Sequence, residues 1–107
     1  MSDVGRLLNA HVVGCAAAHQ RLLAALETLT DEQCRGTTQL PGWTRGHVLN
    51  HLARNADSHV HLLQCASRGE VGEQYPGGAA ARNAGIEDGA GRSAEQLVAD
   101  VRRSIYE

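Results

Sequence analysis

The chain has 107 residues and a formal charge of −2 with histidine neutral, which allows one domain at most. Acidic and basic residues are interspersed, so there is no electrostatic footprint for nucleic acid or an anionic membrane, and no apolar run approaches the ~20 residues that span a bilayer. Phe is absent, with one Trp and two Tyr, so the core falls to Leu, Val and Ala, a composition suited to close helix packing.

The opening Met1-Ser2-Asp3-Val4 lacks the basic and long apolar segments of a secretory signal. Cys15, Cys34 and Cys65 are odd in number, widely spaced and without a Cys-x-x-Cys pair. They read as small buried hydrophobes, and the chain as a cytoplasmic protein in a reducing compartment.

Residues 3–29 place Val4, Leu8, His11, Cys15, Ala18, Leu22, Ala25 and Leu29 at alternating steps of four and three. That spacing predicts a first helix with this face turned inward, capped by Ser2 or Asp3. Thr30-Asp31-Glu32-Gln33 is a capping box opening a single turn that Gly36 ends. Pro41-Gly42 predicts a turn. A second helix is expected from Thr44 to Arg68-Gly69, with Val48, Leu49, Leu52, Ala56, Val60 and Leu63 inward.

Half of the chain's 12 glycines, with Pro76, fall in residues 70–92. This segment reads as a flexible connector with at most a short turn around residues 79–84. Ser93-Ala94-Glu95-Gln96 is another capping box, and Leu97, Val98, Val101 and Ile105 continue a third helix to Glu107. The expectation is an all-α bundle in which three helices are present and a fourth is missing, with the exposed apolar face open to self-association.

Histidine is the chemistry-bearing residue in excess, with six in the chain, four of them on the second helix. His47 and His51 are four apart and share a helix face, so they can chelate one divalent metal or simply flank the core. His11 falls on the inward stripe of the first helix and reads as a core histidine; His19 and His61 read as surface residues. Asn55, four residues after His51, either turns toward the same pocket rim or edges the bundle. There is no Gly-x-Ser-x-Gly elbow and no phosphate-binding glycine loop after a strand.

The run from Leu40-Pro41-Gly42-Trp43-Thr44-Arg45-Gly46-His47 through Asn50-His51-Leu52-Ala53-Arg54-Asn55-Ala56-Asp57 resembles the motif of the mycothiol-dependent maleylpyruvate isomerase N-terminal domain. Tyr75-Pro76, Arg82, Ile86-Glu87 and Gly89-Ala90-Gly91-Arg92 resemble the loop and third-helix entry of the same family. The resemblance spans residues 1–107 and implies a DinB-like helical bundle. It also implies a divalent metal, zinc above all, with His51 as the ligand from the second helix and two further ligands on a last helix.

By the same resemblance, a metal-bound mycothiol thiolate adds to the cis double bond of maleylpyruvate. The new single bond rotates, and elimination gives fumarylpyruvate. Arg82 and Arg92 are then candidate anchors for substrate carboxylates, with Arg82 and Asn55 as the candidate substrate- or thiol-binding pair. One histidine cannot hold a catalytic zinc, which takes three protein ligands, so weak or no metal binding and no activity are expected of the chain alone. A mycothiol S-transferase and a non-catalytic helical interaction module remain the alternatives.

Overall fold

The computed structural model describes residues 3–106. Its elements are α1 (Asp3–Leu26), α2 (Asp31–Cys34), α3 (Arg45–Ser67), α4 (Gly78–Ala90) and α5 (Ala94–Tyr106). No strand is present among the described residues; one isolated bridge joins Thr37 and Thr44. The all-α expectation is met. Ser2, one of the two proposed caps of the first helix, and Glu107 lie outside the described residues.

All three local stop-and-start signals form. Thr30 caps α2 and Thr44 caps α3, each in a reciprocal box with the residue three positions on. Ser93 does the same for α5 through Gln96. Before α3, Trp43 N–H donates to Leu40 C=O (3.1 Å) while Gly42 takes φ +77°. Before α4, Gly78 N–H donates to Tyr75 C=O (2.8 Å) with Gly77 at φ +89°. Proline followed by a positive-φ glycine is the type II turn, so the same device launches both helices.

Helix α4 corrects the expectation of a flexible connector. Ala79, Ala80, Ala81 and Ala84 favour helix, and Gly89 of α4 and Gly46 of α3 allow the two helices to approach closely. A Cβ on Gly89 would stand 2.6 Å from Asn50 Nδ2, and one on Gly46 would collide with the Ala90 carbonyl. Ile86 and Ala90 are buried in the same seam. The loop before α4 is also fastened. Glu70 N–H donates to Cys65 C=O (2.9 Å), and Gly72 sits so close to Cys65 that a Cβ would lie 2.5 Å from its Sγ.

At the centre of the α3–α4 seam, Asn50 is fully buried. Its Nδ2 donates to Gly85 C=O (3.0 Å) and Ile86 C=O (2.8 Å), and its Oδ1 accepts from Arg54 and Arg92 (3.0 Å each). The same two arginines, with Arg103, converge on Asp100 of α5. Burial pushes the Asp100 carboxyl up, but hydrogen bonds from Arg103 and Arg92 and the charge of Arg54 outweigh it and hold the group below the usual range. A depressed carboxylate stabilises the fold fully above its ordinary value near pH 3.8 and loses that contribution as the pH falls through its folded value.

Leu23, Cys34, Leu49, Ala53, Ala94, Leu97 and Val101 form the core, flanked by Leu22, Leu26, Leu29 and Ile105. Asp31 ties α2 to this core by accepting from Ala94 N–H (2.6 Å) at the start of α5. The predicted faces need two corrections. On α3 the buried residues are Gly46, Leu49, Asn50, Ala53, Ser58 and Cys65, while Leu52 and Leu63 are exposed. Packed between α4 and α5, α3 buries small and polar positions that let its neighbours approach.

On α1 the buried residue is Leu23; Val4, Leu8, His11, Cys15, Ala18 and Ala25 of the predicted stripe are exposed. At about 1.5 Å per residue, α1 is roughly 36 Å long against roughly 20 Å for α5, so its first half projects past the core. Cys34 and Cys65 are buried as expected, but Cys15 is exposed for the same reason.

Removing the Asn50 side chain strands two carbonyls and two guanidinium groups at a buried seam. We expect Asn50→Ala to cost about 2–4 kcal/mol and to lower Tm by roughly 10 °C or more in a domain of this size. Gly46→Ala should cost about 1–3 kcal/mol through overpacking. Thermal melts followed by circular dichroism decide it; an Asn50→Ala Tm equal to the wild type's removes Asn50 from the centre of the fold.

Candidate functional site

Four side chains form a row across the α3–α4 junction. Trp43 precedes the Thr44 cap, His51 lies in the second turn of α3, Arg82 is in the first turns of α4, and Tyr75 is in the loop before it. The His51 ring packs against the Trp43 indole at 5.5 Å between centroids, tilted by 54°. On its other side, Arg82 Nη2 lies 3.4 Å from His51 Nδ1. The Arg82 guanidinium sits 5.7 Å from the centre of the Tyr75 ring, in cation–π range, and donates to Asn83 Oδ1 (3.1 Å).

Helix α4 therefore brings together His51 and Arg82, 31 residues apart in sequence. The half-buried His51 ring does not point away from the other helices. Burial, and secondarily the positive charge of Arg82, lowers its pKa below the ordinary 6.5. A guanidinium only donates, so in this contact Nδ1 is the accepting nitrogen and the proton of the neutral ring lies on Nε2.

His47 does not join this group as a second chelating imidazole. Its Nδ1 accepts from Thr44 N–H (3.1 Å), which commits it to the α3 cap. Its Nε2 stands 3.1 Å from Glu87 Oε1 but out of line for a hydrogen bond. The ring stacks on Trp43 at 6.1 Å. His47 thus props the indole against which His51 rests.

Asn55 is not brought to Arg82. It faces the α1–α5 side, lining a hollow of about 380 Å³ with His19, Leu22, Leu52 and His59, and its buried Oδ1 has no hydrogen-bond partner among the described residues. Arg92 is not available as a carboxylate anchor either, since it donates to Gly89 C=O, Asn50 Oδ1 and Asp100 Oδ2. His61, expected on the surface, is half-buried with Nε2 3.8 Å from Cys65 Sγ. Cys34 is no nucleophile: burial, with the Asp31 charge, pushes its thiol up.

Among the described residues no group of three or more His, Cys, Asp or Glu side chains is placed to hold a metal. A metal-binding imidazole ordinarily donates its second N–H to an acceptor, whereas the second nitrogen of His51 faces a cationic donor. The residues present therefore do not fit a metal site as they stand. Sequence reasoning missed Trp43 and Tyr75 as wall residues and Asn50 as the organiser, although a polar residue between Gly46 and Arg54 on one helix face was a readable signal.

Residues 15–107 match the family described as the mycothiol maleylpyruvate isomerase N-terminal domain. No curated protein sequence matches the chain. Its fold is similar to the crystal structure of the mycothiol-dependent maleylpyruvate isomerase, with a TM-score of 0.83 at 24% identity over 92% of this chain. The chain spans 41% of the length of that protein.

Among the chain's six histidines, His51 should titrate below the ordinary value in a histidine-detected NMR pH series. Arg82→Ala should raise its pKa part of the way back, because burial remains. The sign carries to stability: the folded ring holds its proton more weakly than the unfolded one, so this contribution is complete above about pH 6.5 and drains as the pH falls through the folded value. A His51 titration unmoved by Arg82→Ala would dissolve the pairing.

Proposed function

The chain belongs to the mycothiol maleylpyruvate isomerase N-terminal domain family, and we infer that its Trp43–His51–Arg82 row forms one wall of a mycothiol-dependent isomerase site. The observation that supports this reading is the contact of Arg82 with His51, which joins the two motifs that resemble the family at one point in space.

The substrate, maleylpyruvate, is a dianion, and isomerisation about its cis double bond needs a nucleophile that adds and leaves. The thiolate of mycothiol forms a C–S bond as the π electrons move into the conjugated carbonyl. Rotation about the resulting single bond follows, and expulsion of the thiolate restores the double bond in the trans form, so the thiol is returned unchanged. In that sequence the chain's own residues bind and orient. Arg82 supplies a guanidinium with paired donors for a substrate carboxylate. Trp43 supplies an apolar face that excludes water from the reacting carbon. The neutral His51 ring, with Nδ1 unprotonated, offers a proton acceptor beside the incoming thiol.

A metal-ligating role for His51 requires more than the described residues hold. Arg82 must leave Nδ1 or the proton must leave Nε2, and further donors must come from elsewhere. We therefore propose His51 as this chain's single contribution to such a centre and route no chemical step through the metal.

Titration of the chain with maleylpyruvate should shift the Trp43 indole and the His51 ring in NMR spectra, and Arg82→Gln should weaken the response about tenfold or more, the worth of one charge-assisted contact. A response unchanged in Arg82→Gln sinks the anchoring role. Zinc should bind the wild-type chain weakly at His51 and somewhat better in Arg82→Ala. Tight stoichiometric zinc binding by the wild type would overturn the single-ligand reading.

A further inference from the structure

The segment joining α3 to α4 is bounded at both ends by left-handed glycines. Gly69 has φ +71°, Gly77 φ +89° and Gly78 φ +77°. A Cβ on Gly69 or Gly78 would meet nothing within 4 Å, so backbone conformation rather than crowding reserves these positions for glycine. Between them, residues 70–76 are tied to the backbone at their ends. Glu70 N–H donates to Cys65 C=O (2.9 Å), and Tyr75 C=O accepts from Gly78 N–H (2.8 Å). Among the described residues, positions 71–74 take no part in a backbone–backbone hydrogen bond, and Val71 is fully exposed.

Three inward contacts hold the middle of the segment. Gly72 rests on Cys65, where a Cβ would stand 2.5 Å from Sγ. Gln74 Nε2 donates to Ser58 Oγ (3.3 Å). The Tyr75 ring covers the Arg82 guanidinium at 5.7 Å. Beneath the segment lies a hollow of about 250 Å³ rather than packed core, reaching Ser58, His61 and Gly85. Few buried contacts and an unpaired backbone place a segment at the low end of local stability. Glycine ends are where a change in φ and ψ can swing it as a unit.

We propose that residues 70–76 are a hinged lid that lifts on Gly69 and Gly77-Gly78 while the helices stay folded. Latched by Gly72 on Cys65, the lid holds Arg82 against His51 through Tyr75. The latch is read most directly at the thiol it covers. Cys65 is 5% exposed under the lid, Cys34 is 1% exposed within the core, and Cys15 lies in the open. Raising Gly72 uncovers the Cys65 Sγ beside His61 and Arg68 (3.8 Å each), whereas only loosened helix packing uncovers Cys34. The lid moves or stays whatever Arg82 binds, so it is independent of the isomerase reading.

Labelling of the 107-residue chain with dithiodipyridine, followed at each cysteine by mass spectrometry, tests the lid. Each thiol attacks the reagent's disulfide, becomes a mixed disulfide and releases thiopyridone. Cys15 should react first, and Cys65 at least about tenfold faster than Cys34. Low urea should leave the Cys65 rate nearly constant, because lid opening exposes little surface, while raising the Cys34 rate steeply. Gly72→Ala wedges the latch and should speed Cys65 about tenfold. It should also shift the His51 ring in NMR spectra, although the side chains nearest position 72 are Cys65 and His61. Gln74→Leu, which drops the tie to Ser58, should speed Cys65 about threefold and decides the matter where Gly72→Ala does not fold. One common rate for Cys65 and Cys34, or equal urea slopes, overturns the lid. Faster Cys65 labelling with the His51 resonances unmoved overturns its hold on Arg82.

Discussion

One buried carboxamide fixes how the two halves of this molecule meet. Asn50 is inaccessible to water, and its amide hydrogens go to the consecutive carbonyls of Gly85 and Ile86. Two consecutive acceptors define a register, because sliding α4 by one residue along α3 would rotate it by about 100° and carry both carbonyls away. A buried polar group is costly unless every partner is in place. Here the oxygen is also satisfied, by Arg54 from the same helix and Arg92 from the turn into α5. Close approach is what makes these bonds reachable, and Gly46 and Gly89 permit it by leaving no Cβ in the way.

The site inherits this geometry. Arg82 is three residues before Gly85, one helical turn back from the bonded carbonyls, so the register set at Asn50 delivers the guanidinium to the ring of the adjacent His51. The charged cluster around Asp100 extends the same logic to α5. Arg54 and Arg92 each bridge the neutral oxygen of Asn50 and the carboxylate of Asp100. Opposing effects act on that carboxylate, and hydrogen bonds from Arg103 of α5 and Arg92 at the α5 entry, with the charge of Arg54 on α3, prevail over desolvation.

What could be read in the sequence was what is local. The capping boxes at Thr30 and Ser93, the helix start at Thr44 and the Pro41-Gly42 turn depend on residues within a few positions of each other, and they formed where expected. Helix α4 was illegible because Gly85 and Gly89 look like helix breakers, and the reason for Gly89 appears only when Asn50 of a second helix packs against it. The inward face of α3 was misjudged because large aliphatics were taken as buried, whereas packing on two sides favours Gly46, Ala53 and Ser58. The α1 stripe has true helical period, but period alone does not say how far the neighbouring helices extend. His51 and Arg82 were both legible as candidates, whereas Asn55 points to the opposite side of α3.

The contact between those two candidates has a consequence for chemistry. A histidine near pH 7 divides between charged and neutral forms, and both influences on His51 push the same way: the ring is partly withdrawn from water, and a guanidinium faces its accepting nitrogen. The result is a neutral imidazole at physiological pH, the form able to take a proton from a thiol or to donate a lone pair to a cation. Arg82 meanwhile keeps its charge, because guanidinium does not deprotonate in this range, and Tyr75 supports it from the far side. On the reading proposed above, a substrate carboxylate gives Arg82 a partner far better than an imidazole nitrogen and releases Nδ1 of His51. The proposed binding of substrate and exposure of the basic nitrogen are then coupled through a single guanidinium positioned by the register at Asn50.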